Sequence, residues 1–398
     1  MGGNAQIFDK AKGKIIQADK IPLKLIGRSN FTKTFVKVFK EINKQFKKKT
    51  GHPIWVNEKN IETGVQFNGS TSYIFDASIP DNELVKYKSH AGDLDLIVPK
   101  EMKQEIWDFF KTIEGKEIIK GVEYMGPSTD KLTFSAIGET LIVLFKAQFG
   151  KNEIIAQVDL ELLDVDDKGT PSDWSRFSHS SSFEDAKVGI KALHHKYLIQ
   201  AIVGGASVRE DIVIATPAST PEKIRLKKVK PNDLPRMLKF SVVRGIRKAY
   251  DPMHDAEGKS VFVDGKQVYQ ERDSKTDSYE TIVGEIFKLT FGRLEEHPED
   301  QKDFGSFVGV ANLMKKYLDK TQIKRSFERY EQKLFGKYEQ VLERNDPKGD
   351  YEVKISGYNY LAKKFGFKVN QKKIDDYYAN FKGERNESMI RNAMRGLV

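Results

Sequence analysis

Two stretches of the chain alternate polar and apolar residues one by one. From 93 to 98 the residues are Asp, Leu, Asp, Leu, Ile and Val. Successive side chains of a strand point to opposite faces, so Asp93 and Asp95 share one face while Leu94, Leu96 and Val98 take the other. From 154 to 163, Val158, Leu160 and Leu162 alternate with Gln157, Asp159 and Glu161 in the same way. If the two strands are neighbours, Asp159 points where Asp93 and Asp95 point.

A helical period governs the segment from Asn30. Phe31, Phe35, Val38, Phe39, Ile42 and Phe46 recur every three or four residues, with Lys33, Lys37, Lys40, Lys44, Lys47 and Lys48 on the remaining faces. The phenylalanine stripe predicts a core face and the lysines a solvated surface or a polyanion contact, with Asn30 as cap and Gly51 as stop. Residues 1–29 read as an irregular arm or small hairpin without evident chemistry. Strands are predicted at 65–67, 93–98, 132–136, 140–149 and 152–163, the last two joined by a tight turn at Gly150 and Lys151. Helices are predicted to start at 70–75 and to run over 101–113.

Beyond them, a helical run over 183–203, ended by Gly204 and Gly205, sets Lys187, Lys191 and His194 or His195 one turn apart. Strands are predicted at 212–215 and 224–229, then a helix over 232–250 carrying Arg236, Lys239, Arg244, Arg247 and Lys248. A hairpin at 261–269 turns on Asp264 and Gly265, a two-residue hairpin signal. From 278 the chain is mostly helical, with breaks at Gly292, Pro298, Gly336 and 346–349. Tyr330, Phe335, Tyr338, Tyr351, Tyr358, Tyr360 and Phe365 interleave there with lysines, a pattern that suits core packing and also base stacking. The order of elements predicts an α+β fold.

Composition narrows the chemistry. The 398 residues are enough for two cores, and they include no cysteine and seven histidines, so disulfides and thiolate zinc sites are excluded and any metal would be held by oxygen. Neither an 18-residue apolar run nor a secretory leader pattern is present, which predicts a cytoplasmic protein with no membrane span. The net charge of +10 is uneven: residues 1–50 carry 13 Lys and Arg against three Asp and Glu, whereas residues 51–180 carry 13 against 22. An acidic middle between basic flanks suits an enzyme that holds a polyanion beside its carboxylates.

Three carboxylates on one sheet face repel one another and become tolerable when divalent cations neutralise them, Mg2+ (or Mn2+) being the expected ion. Gly69 and Ser70, after a predicted strand and before a predicted helix, offer free backbone N–H groups, a hydroxyl and no obstructing side chain, as a metal-bound triphosphate requires. A Walker-type phosphate loop is excluded because Met253 stands where Gly258-Lys259-Ser260 would need its first glycine. The ligase-type lysine motif fails at Phe262, and neither G-x-S-x-G nor H-E-x-x-H occurs.

Glycine-serine, then D-x-D on a strand, then a lone Asp on a later strand resembles the DNA polymerase β-like nucleotidyltransferase superfamily over about residues 50–170. The 22 residues between Ser70 and Asp93 make 77–91 an insertion or a longer loop over the site. The resemblance implies a palm, a small mixed sheet with flanking helices, followed by a largely helical C-terminal region. It implies four segments: a basic arm and helix (1–50), the catalytic domain (51–170), a helical and hairpin region on the palm (171–277) and a helical domain (278–398). Asp93, Asp95 and Asp159 would be catalytic metal ligands, and Gly69, Ser70, Lys187 and Lys191 would bind the NTP. The implied reaction moves a nucleoside monophosphate to a hydroxyl, most simply a nucleic-acid 3′ end. Cyclic-oligonucleotide synthesis, transfer to a protein or small molecule, and an inactive nucleic-acid-binding protein are the alternatives.

Overall fold

The structure is a computed structural model that describes residues 5–9, 14–128, 140–172, 174, 177, 181–227, 234–241, 245–272, 279–280, 283–292, 298–336 and 351–376. It is a mixed α+β protein with two compact units, Met1–Ala192 and Leu193–Val398. No helix among the described residues is long and apolar enough to cross a membrane.

Unit 1 opens with the hairpin β1 (Gln6–Asp9) and β2 (Lys14–Gln17), the short strand β3 (Ile21–Pro22) and helices α1 (Leu23–Ile26) and α2 (Arg28–Thr50). Gly27, not Asn30, caps α2, and Gly51 stops it with φ 92°. After α3 (Lys59–Glu62), α4 (Gly69–Phe75) and α5 (Asp81–Tyr87) come β4 (His90–Ala91) and β5 (Leu94–Pro99). The expected strand at 65–67 is a single bridge, Phe67 to Leu96, because Gly64 (φ 82°) turns the chain immediately before it. Helix α6 (Lys103–Thr112) leads into β6 (Lys116–Ile119), β7 (Val122–Pro127), β8 (Thr140–Phe149) and β9 (Asn152–Leu163). The strand predicted at 132–136 lies outside the described residues.

These strands form one sheet in the order β5-β9-β8-β7-β6. Strands β8 and β9 pair from Thr140 with Glu161 to Phe149 with Asn152, and β5 runs parallel to β9. Alternation therefore gives the sheet two unlike faces. One carries Val143, Phe145, Phe149, Ala156, Val158, Leu160, Leu94 and Leu96 into the main core with α2 and α6. The phenylalanines of α2 fill it: Phe35 meets Phe145 edge-on at 6.4 Å and Phe46 meets Phe109 at 5.3 Å. The lysines of α2 face away from the sheet. On the other sheet face, Leu144 packs with Ala5, Ile7 and Ala18 of the N-terminal arm.

The predicted single helix over 183–203 is two, α7 (Phe183–Lys187) and α8 (Ala192–Ala206). Gly189, at φ 71°, is in the left-handed region and ends the first. Helix α8 also runs through Gly204 and Gly205 instead of stopping there. A Cβ on Gly205 would lie 2.7 Å from the backbone nitrogen of Ser326, so the missing side chain lets two helices cross closely.

Unit 2 holds β10 (Ile212–Ala215), β11 (Leu238–Ser241), β12 (Gly245–Lys248), β13 (Tyr250–Pro252), β14 (Phe262–Val263) and β15 (Lys266–Glu271). Strand β15 pairs parallel with β10 and antiparallel with β13 and β14, across the expected turn at Asp264 (φ 50°) and Gly265 (φ 73°). Instead of the helix predicted over 232–250, β11 and β12 form an antiparallel pair. The buried positions Leu238 and Ile246 lie in strands, and Gly245 (φ 103°) has a conformation no right-handed helix contains. Residues 228–233 and 242–244, including Arg244, lie outside the described residues. The strand predicted at 224–229 is only a bridge from Leu226 to Ala215 over its described part.

Helices α9 (Val283–Phe291), α10 (Phe307–Tyr317), α11 (Lys320–Gly336) and α12 (Tyr351–Phe365) complete unit 2, with 3-10 turns over Pro298–Gly305. Of their aromatics, Tyr330 and Tyr358 are fully buried, with Phe327 stacked on Tyr358 at 5.3 Å, whereas Phe335, Tyr360 and Phe365 are half-buried. Burial removes Tyr330 and Tyr358 as a base-stacking platform. Tyr338 and the predicted break at 346–349 lie outside the described residues.

Candidate metal centre

Strand register brings the three aspartates together. Parallel pairing sets Asp95 beside Asp159 and Ile97 beside Glu161, while Asp93 immediately precedes β5 on the same face. Asp93, Asp95 and Asp159 each present a carboxylate oxygen within 4.8 Å of the others. Asp93 and Asp159 are 7% and 8% exposed, so the oxygens gather where water screens little. Among the described residues no other three His, Asp or Glu side chains gather this closely.

The electrostatics follow from that crowding. Burial, then the charges of Asp93, Glu161 and Asp159, hold the Asp95 carboxyl well above the ordinary range. Burial, then the Asp93 charge, pushes Asp159 up to about 8, and burial raises Asp93 as well. A hard, all-oxygen, desolvated donor set is what Mg2+, Mn2+ and Ca2+ bind, and a bound dication would reverse each of these shifts. The carboxylates thus fit a divalent cation without selecting among these ions.

The surrounding chain fixes the cluster from the backbone upward. Asp95 N–H donates to Thr71 Oγ1 at 2.9 Å, and Asn68 N–H donates to the Asp95 carbonyl at 3.0 Å. Asn68 Nδ2 donates to Glu161 Oε2 at 2.7 Å, and Gln157 Nε2 to Asp159 Oδ1 at 2.7 Å. Gly69 begins α4 at φ 54°, and a Cβ there would meet Asp95 Oδ2 at 2.0 Å. Glycine is therefore demanded twice, by conformation and by the carboxylate against it. The Ser70 side chain hydrogen-bonds with the Tyr73 hydroxyl, whose pKa burial raises to about 12.

The two predicted lysines separate. Lys187 is held by Glu184 at 2.8 Å and Glu83 at 3.1 Å, and it lies over the Phe183 ring. Lys191 is exposed on the link between α7 and α8, so the predicted shared stripe does not exist. Its charge reaches Lys88, a half-buried lysine at the end of α5 whose pKa burial lowers despite the attraction of Asp93 and Asp95. The segment over 77–91 thus brings to the cluster a cation that no sequence motif marks. Asn68, next to Gly69, and Gln157, two residues from Asp159 on the same strand face, were also absent from the predicted site, although alternation placed Gln157 there.

The remaining basic feature is the outer face of α2. Lys37, Lys40, Lys44 and Lys47, with Glu41, Glu58, Asn43 and Ile119, line a hollow of about 560 Å³, and Glu62 pairs with Lys40. It lies on the side of the sheet away from the aspartates. Comparison of the chain with protein-family models, with curated proteins and with solved structures gives no match in any of the three.

Proposed function

We infer that the protein is a nucleotidyltransferase dependent on Mg2+ or Mn2+, which moves a nucleoside monophosphate from an NTP to a hydroxyl. The observation that carries this reading is the buried triad on adjacent parallel strands, with the Gly69 backbone pressed against one of its carboxylates. A polymerase β-like palm accounts for the mixed sheet and for the order of glycine-serine, D-x-D and lone aspartate along the chain.

Asp93, Asp95 and Asp159 would hold the cation. A divalent cation bound there lowers the pKa of an acceptor hydroxyl and offsets charge on the phosphates. Gly69 keeps the approach to Asp95 open, and the Ser70 region offers a hydroxyl and backbone N–H groups at the start of α4. Lys88 and Lys191 give the same space positive potential, which suits a triphosphate, whereas Lys187 is occupied by its two glutamates.

A nucleic-acid 3′ end is the acceptor the charge distribution favours. The lysine face of α2 supports this as a surface remote from the chemistry, so a strand held there would have to curve round unit 1 to reach the aspartates. A second nucleotide, as in cyclic-oligonucleotide synthesis, and a protein or small molecule are the other acceptors. The deciding experiment incubates the protein with each labelled NTP and Mg2+ or Mn2+, with and without mixed RNA, and sizes the products. RNA-dependent elongation supports the leading reading; small labelled products without RNA move the acceptor to a nucleotide. Salt-sensitive RNA binding with no turnover of any NTP supports a nucleic-acid-binding protein instead.

A further inference from the structure

The N-terminal arm, which has no chemistry of its own in the sequence, is connected to the metal cluster by one side chain. Gln157 is 3% exposed and lies two residues before Asp159 on the same face of β9. Its Oε1 accepts from the backbone N–H of Ala5 at 3.0 Å, and its Nε2 donates to Asp159 Oδ1 at 2.7 Å. The two bonds determine each other. Reversing the amide would set its oxygen against a carboxylate oxygen and its NH2 against an N–H donor, so the Ala5 donor keeps the NH2 on Asp159.

Ala5 is itself held. The Ala18 N–H donates to the Ala5 carbonyl at 2.9 Å, and Ala5, Ile7 and Ala18 are buried against Leu144. At the same open end of the hairpin, one residue past Ala18, Asp19 N–H donates to the Ile155 carbonyl at 2.8 Å and the Ile155 N–H donates to Asp19 Oδ2 at 2.7 Å. The arm therefore grips β9 two residues before Gln157 and again through Gln157.

We propose that Gln157 is a positioning residue that orients the Asp159 carboxylate for the cation, and that docking of the N-terminal hairpin sets cation affinity through the Ala5 N–H. A neutral donor is suited to this place. It takes one oxygen of Asp159 and relieves part of the repulsion in the cluster, without adding a cation that would compete with the metal. Hydrogen-bond partners behind a metal ligand commonly change metal affinity about 10–100-fold when removed. The inference rests on the reading of the triad as a metal site.

The test is Mn2+ titration of the full chain by calorimetry, with a thermal melt of every variant. Gln157→Leu removes both bonds, Ala5→Pro removes only the N–H, and the double variant combines them. Ile154→Ala, on β9 but on its opposite face, is the control for lost stability alone. The expected result is a loss of affinity of about 10–100-fold in each single variant. In the double variant the loss should be no greater than in Gln157→Leu, because the two changes break one connection, and Ile154→Ala should melt lower with Mn2+ affinity unchanged. Wild-type affinity in both single variants overturns the proposal while leaving the metal site standing. So do additive losses, or an equal loss in Ile154→Ala, because either makes the effect one of general stability. A wild-type protein that binds no Mn2+ overturns the metal reading and the proposal together.

Discussion

In unit 1 three carboxylates meet in a buried space beside Lys88, whose own pKa burial lowers despite the attraction of Asp93 and Asp95. In unit 2 two adjacent histidines are buried as deeply, and each has a partner: His194 Nδ1 with the Tyr330 hydroxyl at 2.6 Å, His195 Nε2 with the Phe304 carbonyl at 2.8 Å. The sequence offered both groups as candidate chemistry, the histidines through their spacing from Lys187 and Lys191. The structure separates them by what surrounds each. Burial drives the His195 pKa down to about 4, so the ring is neutral and serves as a hydrogen-bonding core residue. The aspartates are driven upward together by burial and by one another, which is what makes them a candidate for a cation.

The largest expected effect is on turnover. Asp95→Ala or Asp159→Ala should lower NTP turnover by at least about 10²–10³-fold, while the metal-free melting temperature stays level or rises because repulsion is relieved. Product assays and melts with and without Mg2+ check both halves, and a lower metal-free melt would mean the triad is structural, as the histidines are. Gly69→Val comes next. It forces a β-branched residue to φ 54° and drives Asp95 aside, so calorimetry should show Mn2+ affinity falling at least about tenfold, with about 1–3 kcal/mol of stability lost. His195→Ala should cost about 2–4 kcal/mol in denaturant unfolding through the cavity and the lost hydrogen bond, and leave Mn2+ affinity unchanged.

Acidity sharpens the comparison, because the two units should respond with opposite sign. Asp159 has a folded pKa of about 8 against an ordinary 3.8, so the folded chain binds the extra proton and the metal-free stability it contributes is lost as pH rises from about 4 through 8. Burial instead lowers His195 from 6.5 to about 4, so its contribution is lost as pH falls through that window. Hydrogen exchange at pH 5 and pH 8 without metal should show β5 and β9 better protected at pH 5 and α8 better protected at pH 8. Saturating Mn2+ should remove the loss in unit 1 at pH 8. The smallest effect is at Lys187: its pairs with Glu184 and Glu83 are screened by solvent and contribute little, so Lys187→Ala should leave the KM for NTP unchanged, whereas Lys88→Ala or Lys191→Ala should raise it several-fold.

Much of unit 1 was legible in the sequence because its signals are local. The phenylalanine stripe of α2, the alternation in β5 and β9 and the turn at Gly150 are each written within a dozen residues, and each needs only backbone geometry to be read. The failures are also physical. A helical spacing over 183–203 carried no sign that Gly189 would adopt φ 71°. The residues of 232–250 had enough good helix formers to hide a strand pair whose partner across Gly245 supplied the hydrogen bonds.

By itself the sequence determined which side chains share a strand face, and so that Asp93 and Asp95 belong together with Leu94 and Leu96 behind them. It could not determine that β5 lies parallel to β9 with Asp95 level with Asp159, because register is fixed by pairing between residues more than sixty positions apart. Nor could it show that Lys88 stands by the cluster, that Lys187 is taken by Glu83, or that an N–H at Ala5 orients Gln157. Each of these depends on contacts that exist only once the sheet, its helices and the N-terminal hairpin have packed.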